Sequence, residues 1–131
     1  MKANELRIGN YVKAPLGEIS IVDVLGDFKY PEYIHASFKS ESGIFSGQNG
    51  FEGIPLTPEI LEKCGFKKHN NAWVMSDFSE TEYNKDFFTI WNSYEVEYNL
   101  NTTNFPVKIE HLHQLQNLYF CLVGEELEVK L

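Results

Sequence analysis

The stretch "LTPEILEKCGF", residues 56–66, carries signals for both ends of a helix. Thr57 offers a side-chain oxygen to the first free amides. Pro58 suits the first helical position, and Glu59 favours the positive end of the helix dipole. Gly65 can take the left-handed conformation that stops a helix, and Phe66 can fold back onto the last turn. The spacing predicts a helix of about two turns, set as a hinge between two unlike halves. Seven of the nine glycines lie at or before Gly53, so the first half is cut into short pieces by turns.

Those pieces read as strands. "LRIGNYVKA" (6–14) predicts a strand broken at Gly9-Asn10. "EISIVDVLG" (18–26) predicts a strand with Ile19, Ile21 and Val24 facing inward. "YIHASF" (33–38) predicts a third. Short strands at this spacing suggest a small curved antiparallel sheet, a pattern compatible with an SH3-like barrel. "GIFSGQNGFEG" (43–53) holds four glycines and predicts a mobile loop or hairpin tip. A phosphate-binding loop would need GK[ST] and a following helix, and neither is present. Phe45, Gln48, Asn49 and Phe51 place aromatics and amides on flexible backbone, which suits a binding loop.

Beyond the helix, "FKKHNNAWVMS" (66–76) predicts a hairpin turning at Asn70-Asn71, because Asn tolerates positive φ. Lys67, Lys68 and His69 form the one small basic cluster, read as a solvated hairpin end. "FFTIWNSYEVEYNL" (87–100) predicts a second hairpin turning near Asn92-Ser93. In its second arm Tyr94, Val96, Tyr98 and Leu100 alternate with Glu95, Glu97 and Asn99, the pattern of a half-exposed strand. Trp73, Trp91 and Tyr98 read as core or cross-strand aromatics rather than a stacking platform. "FPVKI" (105–109) adds a strand that Pro106 holds to an edge or a strand start. "EELEVKL" (125–131) alternates and predicts a terminal strand pinned to the sheet.

Residues 111–123, "HLHQLQNLYFCLV", predict the longest helix. Leu112, Leu115, Leu118, Tyr119 and Leu122 fall on one arc about 120° wide. His111 lies within that arc. At about 100° per residue His113 falls opposite, so the two histidines should not reach one metal. No Asp, Glu, Lys or Arg occurs from His111 through Val123. The outward arc instead carries His113, Gln114, Asn117 and Cys121, with Phe120 at its border. Uncharged amides suit a face that meets other polar atoms: either another segment of this chain, or a partner or second copy.

The totals narrow the function. The chain has 131 residues, 43% apolar and 15% aromatic, enough for a sizeable core. Nineteen acids against eleven bases give a charge of -8, which disfavours phosphates and anionic lipid. Arg7 is the single arginine, and forked recognition of phosphate usually draws on Arg. Cys64 and Cys121 show no CxxC spacing and read as reduced core or near-core thiols of a cytosolic protein. "MKANELRIGN" lacks the apolar stretch of a signal peptide, and no run approaches the roughly 18 apolar residues of a membrane span. No serine sits in a GxSxG elbow, and Cys64 lies at a helix C-terminus, where the dipole disfavours a thiolate. No catalytic, cofactor-binding or metal-ligating residue is assigned.

Three stretches taken together, "NELRIGNYV", "IPLTPEILEKCGF" and "HLHQLQNLYFCLVGEELEVKL", cover a third of the chain. They resemble a family of short uncharacterised proteins of Bacteroides-type gut bacteria and their phages and mobile elements. The resemblance implies a bacterial or phage-infected cell, and it carries over no site residue.

The expectation is one compact α+β domain, residues 1–131. A small β-rich lobe (1–55) precedes an α+β lobe (56–131), whose antiparallel sheet is covered by the amphipathic helix. The expected role is a non-enzymatic binding or accessory protein in the cytoplasm. It would act through protein contacts, self-association or small-ligand capture, without a cofactor. The candidate surface is His113, Gln114, Asn117, Phe120, Phe45, Gln48, Asn49 and Phe51. The alternatives are a small enzyme whose site forms only in three dimensions and an SH3-like nucleic-acid module.

Overall fold

The computed structural model describes residues 5–15, 17–25, 34–38, 44–47, 51–76, 86–91, 95–98 and 104–131. The elements in chain order are β1 (Tyr11–Lys13), β2 (Ile19–Leu25), β3 (Ile34–Phe38), β4 (Ile44–Gly47), α1 (Pro58–Lys63), β5 (Lys67–His69), β6 (Ala72–Ser76), β7 (Asp86–Trp91), β8 (Glu95–Tyr98), β9 (Asn104–Lys108) and α2 (Leu112–Val123). The class is mixed α+β, with two antiparallel meanders ordered β1-β2-β3-β4 and β5-β6-β7-β8-β9. The chain divides into two units. The first is Met1–Pro55 with His111–Glu125, and the second is Leu56–Glu110 with Glu126–Leu131. The longest helix, however, falls in the N-terminal unit, where the sequence had placed it over the C-terminal sheet. Its side chains hydrogen-bond to residues 5–11, and its first amide donates to Ile54, at 2.8 Å. Helical periodicity shows that a face is buried but not which sheet buries it.

In the N-terminal unit, Gly9 (φ 93) turns the chain into β1 rather than interrupting a longer strand. Pairing puts Val12 opposite Ser20. Val12, Ser20 and Val22 are all fully buried, whereas Ile19 is exposed and Ile21 half-buried. The expected inward set of Ile19 and Ile21 is therefore reversed, and the side chain of Val24 lies outside the description. The cause is register. β1 is three residues long, its one core side chain is Val12, and its cross-strand partner must share that face. Shifting a strand by one residue moves every side chain to the other side. A bulge between Val22 and Val24 leaves Asp23 exposed. Residues 43–53 are not simply a loop, since β4 occupies Ile44–Gly47 and pairs with β3. Past β4, Glu52 exchanges two backbone hydrogen bonds with Lys13, at 2.8 and 2.9 Å. The chain has thus passed from the β4 edge of the meander to its β1 edge within five residues.

In the C-terminal unit the signals around α1 and the first hairpin are met, whereas the expected turn at Asn92-Ser93 and the side chains of 94–100 lie outside the described residues. Thr57 Oγ1 accepts from the Ile60 amide at 3.3 Å and caps α1. Gly65 has φ 88, and the Phe66 amide returns to the Leu61 carbonyl at 3.0 Å. Asn70 has φ 54 at the β5–β6 turn, as the hairpin requires. Lys67, Lys68 and His69 are exposed on β5. Phe66, Phe88 and Ile90 are fully buried, with Phe66 and Phe88 edge to face at 5.8 Å between centroids. Each such side chain contributes about 1.5–3 kcal/mol by leaving water. Trp73 is buried, Trp91 is 40% exposed, and Pro106 lies on the edge strand β9. The tail is pinned but is not a strand. Leu127 and Val129 are buried, and the Lys130 amide donates to the Lys63 carbonyl at 2.9 Å. Lys63 ends α1, where carbonyls lack helical partners, so the tail fills a vacancy that the helix leaves.

Candidate functional site

The chemistry-bearing side chains gather in the N-terminal unit, along α2 and the segment 5–11. His111 is the N-cap of α2 and has extended backbone, φ -128 and ψ 152. Gln114 Oε1 accepts from its amide at 3.0 Å. This extended backbone corrects the expected separation of the histidines. The opposite placement expected at about 100° per residue does not apply to a residue outside the helix. The His111 and His113 rings stack, with centroids 5.6 Å apart and planes 23° apart. Gly53 is pressed against His111, and a Cβ there would come within 2.6 Å of the ring.

His113 was expected on an outward face, yet it is 2% exposed. Neither ring nitrogen has a hydrogen-bond partner. Burial, and then the neighbouring His111, lower its pKa, while Glu5 opposes the shift. The imidazole is therefore neutral at pH 7.

Gln116 and Asn117 complete a polar seam. Gln116 Oε1 accepts from the Tyr11 amide at 2.8 Å, and its Nε2 donates to the Gly9 carbonyl at 3.2 Å. Asn117 Oδ1 accepts from Asn10 Nδ2 at 2.9 Å and from Arg7 Nε at 3.2 Å. Asn117 Nδ2 donates to the Glu5 carbonyl at 3.1 Å. Asn10, fully buried, also accepts from the Arg7 amide at 2.7 Å. Of the two occupants considered for the amide-bearing arc, this same chain is the one present at Asn117. His113, Gln116, Asn117 and Phe120 stand at i, i+3, i+4 and i+7, a helical stripe. That spacing is the signal that could have found Gln116, which the outward arc of His113, Gln114, Asn117 and Cys121 leaves out.

Phe120 remains 39% exposed, and the Arg7 guanidinium carbon lies 4.2 Å above its ring. This is cation–π geometry. Gln114 is half-buried and holds the helix start. Phe51 is 4% exposed, so it belongs to the core rather than to a binding loop. Phe45 lies on β4 opposite Ala36, and Gln48 and Asn49 lie outside the described residues. Cys64 is buried and Cys121 exposed, both as free thiols. Burial pushes the Cys64 thiol up to about 12, so it is no nucleophile at neutral pH. Among the described residues no three His, Cys, Asp or Glu side chains cluster as metal ligands. No helix among them is long and apolar enough to cross a membrane. The chain matches no family model, no curated protein and no solved structure.

Proposed function

We propose that the chain is a non-enzymatic binding or accessory protein of the bacterial or phage-infected cytoplasm. It works through protein contacts made by the N-terminal unit around Arg7, Ile8 and Phe120. The observation that carries this reading is the side chain left exposed beside the seam. Ile8 is 60% exposed and adjoins Arg7, which itself covers a Phe120 ring that is 39% exposed. Arg and aromatic residues are enriched at interface cores, and pre-ordering them lowers the entropy lost on docking. His113, by contrast, is buried, and Asn117 is hydrogen-bonded to Glu5, Arg7 and Asn10 within the chain. The acidic balance favours a protein partner over nucleic acid.

The test compares wild type with Ile8→Asp and with Phe120→Ser. Molar mass is measured across a concentration series, and proteins captured from the native host are compared by mass spectrometry. The expected outcome is loss of association, or of specific captured proteins, in both variants with little change in melting. Identical capture and mass for wild type and both variants would remove the surface from consideration.

A further inference from the structure

We propose that His111 and His113 form a proton-sensitive latch that holds the start of α2 against residues 53–55. Four features of the geometry support it. The His113 ring is buried with both nitrogens unpartnered. Its ring stacks on that of His111, with centroids 5.6 Å apart, so it cannot turn toward water without parting from its neighbour. Both lie at the amino end of α2, where the helix dipole disfavours cations, and the first turn holds no acidic residue to offset it. Finally, His111 is packed against Gly53, bridges Pro55, and is followed by the Leu112 amide bonded to Ile54.

A neutral imidazole fills this space as a flat, weakly polar ring. An imidazolium needs acceptors for two N–H groups, and no described protein atom accepts from either nitrogen of the buried ring. The groups acting on His113 are His111 and the amino terminus, which oppose its charge, and Glu5, which favours it. Proton uptake therefore favours the state in which the ring reaches water. Reaching it separates His111 from Gly53 and breaks the Leu112–Ile54 hydrogen bond. The direction follows from linkage. The unfolded or open chain binds the proton near the ordinary value of about 6.5, and the closed state binds it only at lower pH. The latch is at full strength above about pH 6.5 and weakens as pH falls below that value, until the closed-state pKa is passed.

The test is hydrogen exchange of the amides of residues 112–115, corrected for intrinsic rates, at pH 7.5 and 5.5. Those of β5 and β6 serve as the internal reference. In wild type the opening equilibrium of 112–115 should rise by up to about tenfold at pH 5.5, the limit for one proton with an open-state pKa near 6.5. In His113→Phe, which fills the space without titrating, the rise should vanish. An unchanged rise in His113→Phe, or no rise in wild type, would overturn the latch. Should His113→Phe fail to fold, the wild-type protein is titrated by NMR at the His113 ring. A midpoint below 6.5, accompanied by shifts at Gly53 and Leu112, supports the proposal, and a midpoint at or above 6.5 defeats it.

Discussion

In the C-terminal unit the deepest side chains are Phe66, Phe88 and Ile90, and Thr89 is the one buried polar residue described there. In the N-terminal unit Val12, Val22, Leu112 and Leu115 share the same depth with Asn10, Ser20, His113 and Gln116. The first interior is filled mainly by area, which is strong and indifferent to direction. The second interior contains amides whose partners must stand at fixed distances and angles, because an unsatisfied buried amide costs more than a satisfied one gains. The contrast teaches where each unit is vulnerable. Volume loss should damage the C-terminal sheet, and loss of a single polar atom should damage the N-terminal seam.

The largest expected effect tests the apolar side. Phe88→Ala should cost roughly 3–5 kcal/mol in urea unfolding, since the removed ring is fully buried against Phe66. A loss below about 1 kcal/mol would mean that the sheet does not depend on its filling. The next tests the polar side. Gln116→Met keeps length and apolar bulk but strips partners from the Tyr11 amide and the Gly9 carbonyl. The expected cost is roughly 1–3 kcal/mol. A neutral result would break the comparison, because the seam would then be decoration on an apolar interior. The smallest effect sharpens it. Thr57→Ala removes a polar atom from the C-terminal unit, where the lost bond is a local cap on α1. That should cost about 1 kcal/mol. A cost as large as that of Gln116→Met would show that the two units do not differ in how they use polar groups.

The sequence announced α1, the β5–β6 turn and the edge position of Pro106 because each depends on neighbours in the chain. Thr57, Pro58, Gly65 and Asn70 act within four residues of themselves, and their chemistry is readable in place. The inward face of β2 was not readable. It is decided by Val12, seven or more residues away, and by the bulge at Asp23. The stacking of His111 on His113 was hidden for a related reason. A one-residue difference in where the helix begins replaces a helical angle with an extended one. The absence of charge along α2 was visible, and it did signal a covered face. Its partners, Arg7, Gly9, Asn10 and Tyr11, lie more than a hundred residues earlier, where no periodicity could point to them.

The division of the chain into units that are not contiguous in sequence has a consequence for synthesis. The meander of β1 to β4 is translated by residue 47, but α2, whose Leu112 and Leu115 are fully buried in the finished unit, ends at residue 123. At roughly 5–20 residues per second, the nascent meander waits roughly 4–15 s for the helix that completes it. During that wait the ribosome makes every strand of the other sheet. The order of assembly is thus written into the gene. The C-terminal sheet has all its strands before the earlier unit has its helix, and a message cut after codon 110 would yield both sheets with neither unit whole.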